Sequence, residues 1–397
     1  MCIRDRKRKE LEDIADQVGS QVLTLDKDGQ GSLQSQANIL SKTFNTIDRG
    51  PDDLVALLYT SGTTGRSKGA MLTQNNLLSN AKTLKNLWEV NEDDVLIHAL
   101  PIFHTHGLFV ALNTALLAGA EVTFLQKFEI TEIIEAIRAS TLLMGVPTFY
   151  TRLLADERLT AHLTKNMRLF ISGSAPLLAE THEEFTRRTG HYILERYGMT
   201  ETNMITSNPY NGERRPGTVG KPLPDVEIQI NDSQTGKENA KSEIGMIEVR
   251  GPNVFKGYWN MPDKTALELK ENGFFITGDL GKLSSDGYLS IVGREKDLII
   301  TGGYNVYPKE IEDVLNELEK IDETAVFGIS DSDFGERVVA AIVMAENESF
   351  DKSKTEIFVN DKLARYKQPK EYFVLKSLPR NSMGKVQKNE LRKQFSM

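Results

Sequence analysis

The densest concentration of anion-binding chemistry in the 397 residues lies at Thr60-Ser-Gly-Thr-Thr-Gly-Arg-Ser-Lys-Gly69, ten residues made only of hydroxyl side chains, glycines and two cations. Glycines let backbone N–H groups turn toward an anion, hydroxyls add donors, and Lys68 brings a charge, so the segment suits a phosphate. A surface loop rich in Gly, Ser and Thr is the plain alternative. A P-loop is excluded, because Lys68 is followed by Gly69 and no glycine stands five residues after Gly62. His104-Thr-His106 invites a metal reading, but six histidines and no third ligand at zinc spacing argue for pocket lining instead.

These residues need elements to hold them. Strands are predicted at Leu54–Tyr59, Val95–Leu100, Glu121–Phe124, Leu142–Val146, Leu169–Ser172 and Ile193–Arg196. Helices are predicted between them at Gln74–Leu87, capped by Thr73, and at Ile130–Ala139 and Ala179–Thr189. Strands alternating with helices imply right-handed crossovers and a largely parallel α/β sheet. Past Pro222-Leu-Pro224, runs at Val226–Ile230, Met246–Arg250 and Tyr288–Val292 read as a β subdomain. A second boundary falls near Gly293-Arg-Glu-Lys-Asp297. After it come a helix following Pro308, strands Ala325–Ile329 and Val338–Met344, a helix near Thr355–Leu363 and a strand Tyr372–Leu375, which make a small α+β domain.

Composition narrows the class. The net charge of −8 disfavours a nucleic-acid-coating surface. Cys2 is the only cysteine, so no internal disulfide can form and a reducing, cytoplasmic setting is expected. Gly107–Phe124, the most apolar stretch, is interrupted by Asn113 and Glu121 and reads as a buried helix and strand rather than a membrane span. The basic start, Met1 to Glu10, resembles neither a signal peptide nor a capped helix and looks non-native.

Beyond the phosphate loop, six segments occur in a fixed order: Ser172-Gly-Ser-Ala-Pro176, Arg196-Tyr-Gly-Met-Thr-Glu201, Ile276-Thr-Gly-Asp279, Gly293-Arg294 with Lys296, Thr301-Gly-Gly-Tyr-Asn305 and Pro379–Lys385. With the loop they resemble the acyl-adenylate-forming superfamily, and Ser172–Pro209 and Gly251–Pro308 look most like its malonyl-CoA synthetases. The resemblance runs from about Asp52 to the C-terminus, so the chain is expected to be truncated at its N-terminal side. It implies a remnant over residues 1–50, an AMP-binding domain over 51–293 and a mobile C-terminal domain over 294–397, hinged near Lys296.

By that resemblance the substrates are ATP with Mg²⁺, malonate and coenzyme A, with no nucleic-acid partner. Thr60, Ser61, Gly62, Thr63, Thr64, Gly65 and Lys68 cover the phosphates, Thr64 and Glu201 serve the metal, and Thr200 meets the α-phosphate. Gly173, Ser174 and Ala175 wall the adenine, Tyr197 and Gly198 border the nucleotide, and Asp279 and Arg294 hold the ribose side. Lys385 bridges carboxylate and α-phosphate during adenylation, its ordinary pKa leaving it charged. Gly302 and Gly303 admit the thiol after the domain swings. His104 gates the acyl pocket, and Thr105 and His106 line it. Arg196, where relatives acting on uncharged acids commonly carry glycine, would hold the distal carboxylate of malonate, with Met204 a further pocket candidate; pairing with Glu195 at the surface is the structural alternative. Other acyl-CoA ligases, for methylmalonate, acetate or longer acids, and an inactive nucleotide-binding fragment are the competing readings.

Overall fold

The computed structural model describes residues 8–26, 28–60, 67–233, 235–380 and 385–396. Two compact units meet in sequence between Gly50 and Pro51. In the first, helices Arg8–Val18 and Ser32–Ile39 flank a turn in which Thr24 and Ser32 exchange hydroxyl and backbone N–H bonds of 2.8 and 3.1 Å. Among its described residues Ala15 alone is a buried apolar side chain. Arg8–Glu10, the end of the basic start, belong to that first helix, for which no start signal stands in the sequence.

Every functional candidate lies in the second unit. Its opening strand, Leu54–Thr60, departs from expectation: it pairs antiparallel with Lys68–Thr73, a strand the sequence reading missed, and stands outside the parallel sheet. Seven residues separate Thr60 from its partner Lys68, fewer than a parallel crossover needs, so the two strands can pair only antiparallel. Thr73 then caps helix Gln74–Leu87, accepting from Asn76 N–H at 3.2 Å while Asn76 Oδ1 accepts from Thr73 N–H at 2.9 Å.

A seven-stranded sheet follows, in the order Glu121–Phe124, Val95–His98, Leu142–Gly145, Leu169–Ser172, Leu194–Met199, Asn203–Ser207 and Lys221–Pro222. The first five are mutually parallel, and the last two pairings are antiparallel. Leu142–Gly145 and Leu169–Ser172 are buried throughout, as expected of strands covered on both faces. The apolar stretch is a π-helix, His106–Leu112, leading into α-helix Asn113–Ala118 and then the edge strand. No described helix is long and apolar enough to cross a membrane.

The β subdomain is a four-stranded antiparallel sheet of Glu227–Asn231, Gly245–Arg250, Phe275–Leu283 and Leu289–Arg294. Phe275–Leu283, unread in the sequence, carries the Thr-Gly-Asp segment. Further along, a five-stranded sheet has Gly335–Met344 at its centre, with Ile321–Asp331, Ile299–Thr301 and, in parallel, Glu371–Leu375 hydrogen-bonded to it, and Tyr304–Val306 at the edge. Side chains alternate along its long strands. Val326, Val338 and Ala340 pack on Ile311, Leu315 and Val359, while Phe327, Val339 and Ala341 face Leu391 and Phe395. Helix Lys388–Phe395 is held to that second face, its Phe395 stacked on Phe373 with centroids 4.0 Å apart. A bridge between Arg380 and Val386, with Gln387 N–H donating to Pro379 C=O at 2.8 Å, closes the loop that presents Lys385.

Candidate active site

The site forms at the carboxyl ends of the parallel strands, where open α/β sheets bind their ligands. Leu194–Met199 turns through Thr200-Glu201-Thr202 into Asn203–Ser207, and all three turn residues are buried. At Gly198 a Cβ would fall 1.9 Å from Asn203 O and 2.6 Å from Met204 Cε, so only glycine lets the hairpin close and bring Met204 against the turn. Helix Gln74–Leu87 pins the second strand. Asn80 donates to Met204 C=O at 2.9 Å and accepts from its N–H at 3.2 Å, and Trp88 donates to Ser207 Oγ at 2.9 Å.

Arg196 is 3% exposed, and its Nε and Nη2 have no hydrogen-bond partner. No described carboxylate lies within ion-pairing distance of it. Burial pulls its pKa down to about 9, which still leaves a cation at neutral pH. The surface pairing with Glu195 does not occur: neighbouring strand residues point to opposite faces, and Glu195 lies buried beside His182 Nδ1 at 3.4 Å. Gly173 touches the guanidinium, since a Cβ there would sit 2.4 Å from its carbon. The next residue, Ser174, holds a left-handed φ of 71° and places Oγ 3.2 Å from His106 Nδ1.

His104 accepts from the backbone N–H of His106 at 3.3 Å, and Thr105 donates to Asn203 Oδ1 at 2.9 Å, which ties the histidine segment to the hairpin. Burial, then the nearby cations Lys385 and Arg196, lower the His104 pKa to about 4. Burial and Arg196 hold His106 well below the ordinary range too, so both rings are neutral at pH 7.

Across the site, Tyr197 donates to Asp279 Oδ2 at 2.6 Å and Arg294 Nε lies 3.3 Å from Asp279 Oδ1, the two residues being cross-strand partners. Glu201, 4% exposed, faces the Tyr258 hydroxyl at 3.0 Å. That hydroxyl also lies 2.6 Å from Glu268 Oε2 and 3.2 Å from Lys68 Nζ, and Lys68 pairs with Glu268 at 3.4 Å. Burial raises the Glu201 pKa, opposed by Tyr258 and Lys68.

Lys385 enters from the C-terminal sheet into this group. It is no surface lysine with an ordinary pKa: burial and then Arg294 lower it, while Asp279 and Glu201 oppose the shift. Lys296 sits in the 3₁₀ turn Glu295–Asp297, next to the ion pair of Asp297 with Arg392 at 3.1 Å. Gly302 and Gly303, with φ of 56° and 81°, turn an exposed hairpin whose Gly302 N–H is committed to Phe334 C=O at 2.8 Å. Thr60 and Lys68 flank the glycine-rich segment, of which Ser61, Gly62, Thr63, Thr64 and Gly65 lie outside the described residues.

The structure therefore gathers Arg196, His104, His106, Glu201, Asp279, Arg294 and Lys385 into one electrostatic neighbourhood. A family scan identifies two regions of the chain: "AMP-binding enzyme" over residues 2–259 and "AMP-binding enzyme C-terminal domain" over residues 310–385. The chain belongs to the AMP-binding enzyme family. The match begins at residue 2, so the family likeness reaches well before Asp52, where the motifs alone had started it. Among solved structures, ATP-bound MatB from Rhodopseudomonas palustris is 56% identical with a TM-score of 0.97, covering 99% of this chain and 78% of that one; the apo form of the same protein gives 0.82. A malonate–CoA ligase of Arabidopsis thaliana is 41% identical over 382 residues, covering 88% of this chain and 62% of its own length. The chain thus spans about three fifths of the length of the curated relatives it matches first.

The donor set suits the family's cofactor. No group of three or more His, Cys, Asp or Glu among the described residues could cage a metal, and Mg²⁺ needs none, since it takes one or two protein carboxylates and its remaining oxygens from phosphates and water. Glu201, buried at the hairpin turn, would be such a carboxylate. Sequence reasoning missed Tyr258, Glu268, Asn80 and Asn203. Gly257-Tyr-Trp259 was a visible aromatic turn that could have flagged Tyr258, but nothing local marks Asn80.

Proposed function

We propose that this chain ligates malonate to coenzyme A through malonyl-adenylate, consuming ATP and releasing AMP and pyrophosphate. The observation that carries the reading is Arg196, a buried cation with unpartnered donors beside the residues expected to handle the nucleotide. Burying a charge without a partner is costly, so a ligand carboxylate is the natural complement. A guanidinium binds it through two parallel hydrogen bonds, and a dry pocket strengthens them. An acid with one carboxylate would leave this cation uncompensated.

One carboxylate of malonate then pairs with Arg196 while the other is directed at the α-phosphate. Lys385 spans attacking oxygen and α-phosphate as negative charge builds there. Asp279, oriented by Tyr197 and Arg294, takes the ribose hydroxyls, and Lys68 with the loop before it covers the β- and γ-phosphates. Mg²⁺, when bound through Glu201, supplies charge neutralisation on the phosphates. Pyrophosphate leaves, the C-terminal domain over 294–397 turns about Lys296, and the thiol attacks the acyl carbon to expel AMP. Similarity to the ATP-bound rather than the apo form of MatB supports reading the present arrangement as the adenylation state. The lone cysteine supports a cytoplasmic setting.

The test is kcat/KM for malonate and acetate, by pyrophosphate release, in the parent and in Arg196→Gly. Malonate should lose about 2–5 kcal/mol of transition-state binding, the cost of breaking a buried charge pair, and acetate far less. An unchanged malonate preference moves the specificity elsewhere.

A further inference from the structure

Arg196 is not the only donor left open in this pocket. His106 is 2% exposed, and its Nε2 has no partner. The two are brought together by consecutive residues of one loop: Gly173 lies against the guanidinium, and Ser174 puts its hydroxyl 3.2 Å from His106 Nδ1. Ser174 does so from a left-handed backbone, a conformation that strains a non-glycine residue and persists only where the surroundings hold it.

A neutral imidazole carries a single N–H, and whichever nitrogen accepts a hydrogen bond leaves the other to donate. We propose that Ser174 donates its hydroxyl proton to His106 Nδ1, fixing the ring proton on Nε2, so that Nε2–H and the Arg196 guanidinium form a joint cradle for the distal carboxylate of a short dicarboxylic acid. Ser174 is then a positioning residue and His106 a specificity residue; the inference rests on the malonate reading above and names how its far end is recognised. Arg196 supports the assignment from the other side, because its charge and the burial of the ring keep His106 neutral. The adjacent histidine shows the same pattern. His104 Nδ1 accepts a backbone N–H, so its proton also resides on Nε2.

Two measurements on the purified chain test this. Imidazole ¹⁵N shifts of the parent, assigned through His106→Gln, should show Nδ1 unprotonated and Nε2 protonated; the opposite tautomer overturns the proposal. In steady state, His106→Ala should lower the ratio of kcat/KM for malonate to that for acetate by about 10–100-fold, the loss of one hydrogen bond to a charged group. Ser174→Ala should lower it in the same direction. His106→Gln, whose amide nitrogen reaches the Nε2 position, should recover more of the ratio than His106→Asn, whose amide reaches only Nδ1. Equal recovery by both amides, or a ratio unmoved in His106→Ala, overturns the cradle. A parent without preference for malonate over acetate overturns the functional reading instead.

Discussion

In the role proposed for it, Lys385 has to remain charged while it is drawn out of water, and its neighbours divide over the matter: Arg294 and Arg196 oppose the cation, whereas Asp279 and Glu201 favour it. Burial decides the sign and lowers the pKa. A lysine is charged below its pKa, so adenylation should fall as pH rises through a value beneath that of an ordinary lysine. Measured with acetate, which makes no demand on Arg196, kcat/KM for pyrophosphate release should show this alkaline limb in the parent and lose it in Lys385→Arg, whose guanidinium stays protonated throughout. A limb of the same position in Lys385→Arg would give the titration to another group. His104, with a pKa of about 4, contributes no limb near neutrality.

Among elements, the hairpin Leu194–Ser207 carries Arg196, Tyr197, Gly198, Thr200, Glu201 and Met204, and what keeps it in place is a helix far away in the chain. Asn80 bonds both backbone groups of Met204, and Asn253 supplies a second donor to Met204 C=O at 3.0 Å. Asn80→Ala therefore leaves the buried Met204 N–H unpaired while its carbonyl keeps a partner. The expected loss is about 1–3 kcal/mol, the cost of one orphaned buried donor, read as a lowered urea midpoint at unchanged m-value. Because Met204 is a candidate for the acid pocket, the same variant should raise KM for the acid more than KM for ATP. An unaltered midpoint would mean that the strand holds its register without the helix.

For the molecule as a whole, the turn Glu295–Asp297 stands between the sheet that carries Asp279 and the sheet whose loop carries Lys385. Asp297 is paired with Arg392, one helix beyond Lys385, so a rotation at Lys296 would move that helix and the lysine together. Lys296→Pro fixes φ at the turn. It should leave pyrophosphate release close to the parent and reduce thioester yield by a much larger factor. A parallel fall in both would count against a domain swing between the half-reactions.

Elements whose signals are local are legible in the chain alone. Thr73 capping Gln74–Leu87 and helix Ala179–Thr189 follow from cap chemistry and helical periodicity, and the buried strands Leu142–Gly145 and Leu169–Ser172 from short apolar runs between breakers. The sequence also marked the motif residues, because their types are unusual for loops. It could not place Leu54–Thr60, since an apolar run of six reads alike in a parallel sheet and in an exposed ribbon; pairing with Lys68–Thr73 decided that. Nor could it tell whether Arg196 was paired at the surface or alone in the interior, because that depends on which face of the strand looks inward and on Gly173 from another strand making room. Tyr258 joins Glu201 and Lys68 across 57 and 190 residues, and Asn80 meets Met204 across 124. Such contacts leave no periodicity in the chain, so only the tertiary structure, by bringing distant strands to one sheet end, decided which groups share the site.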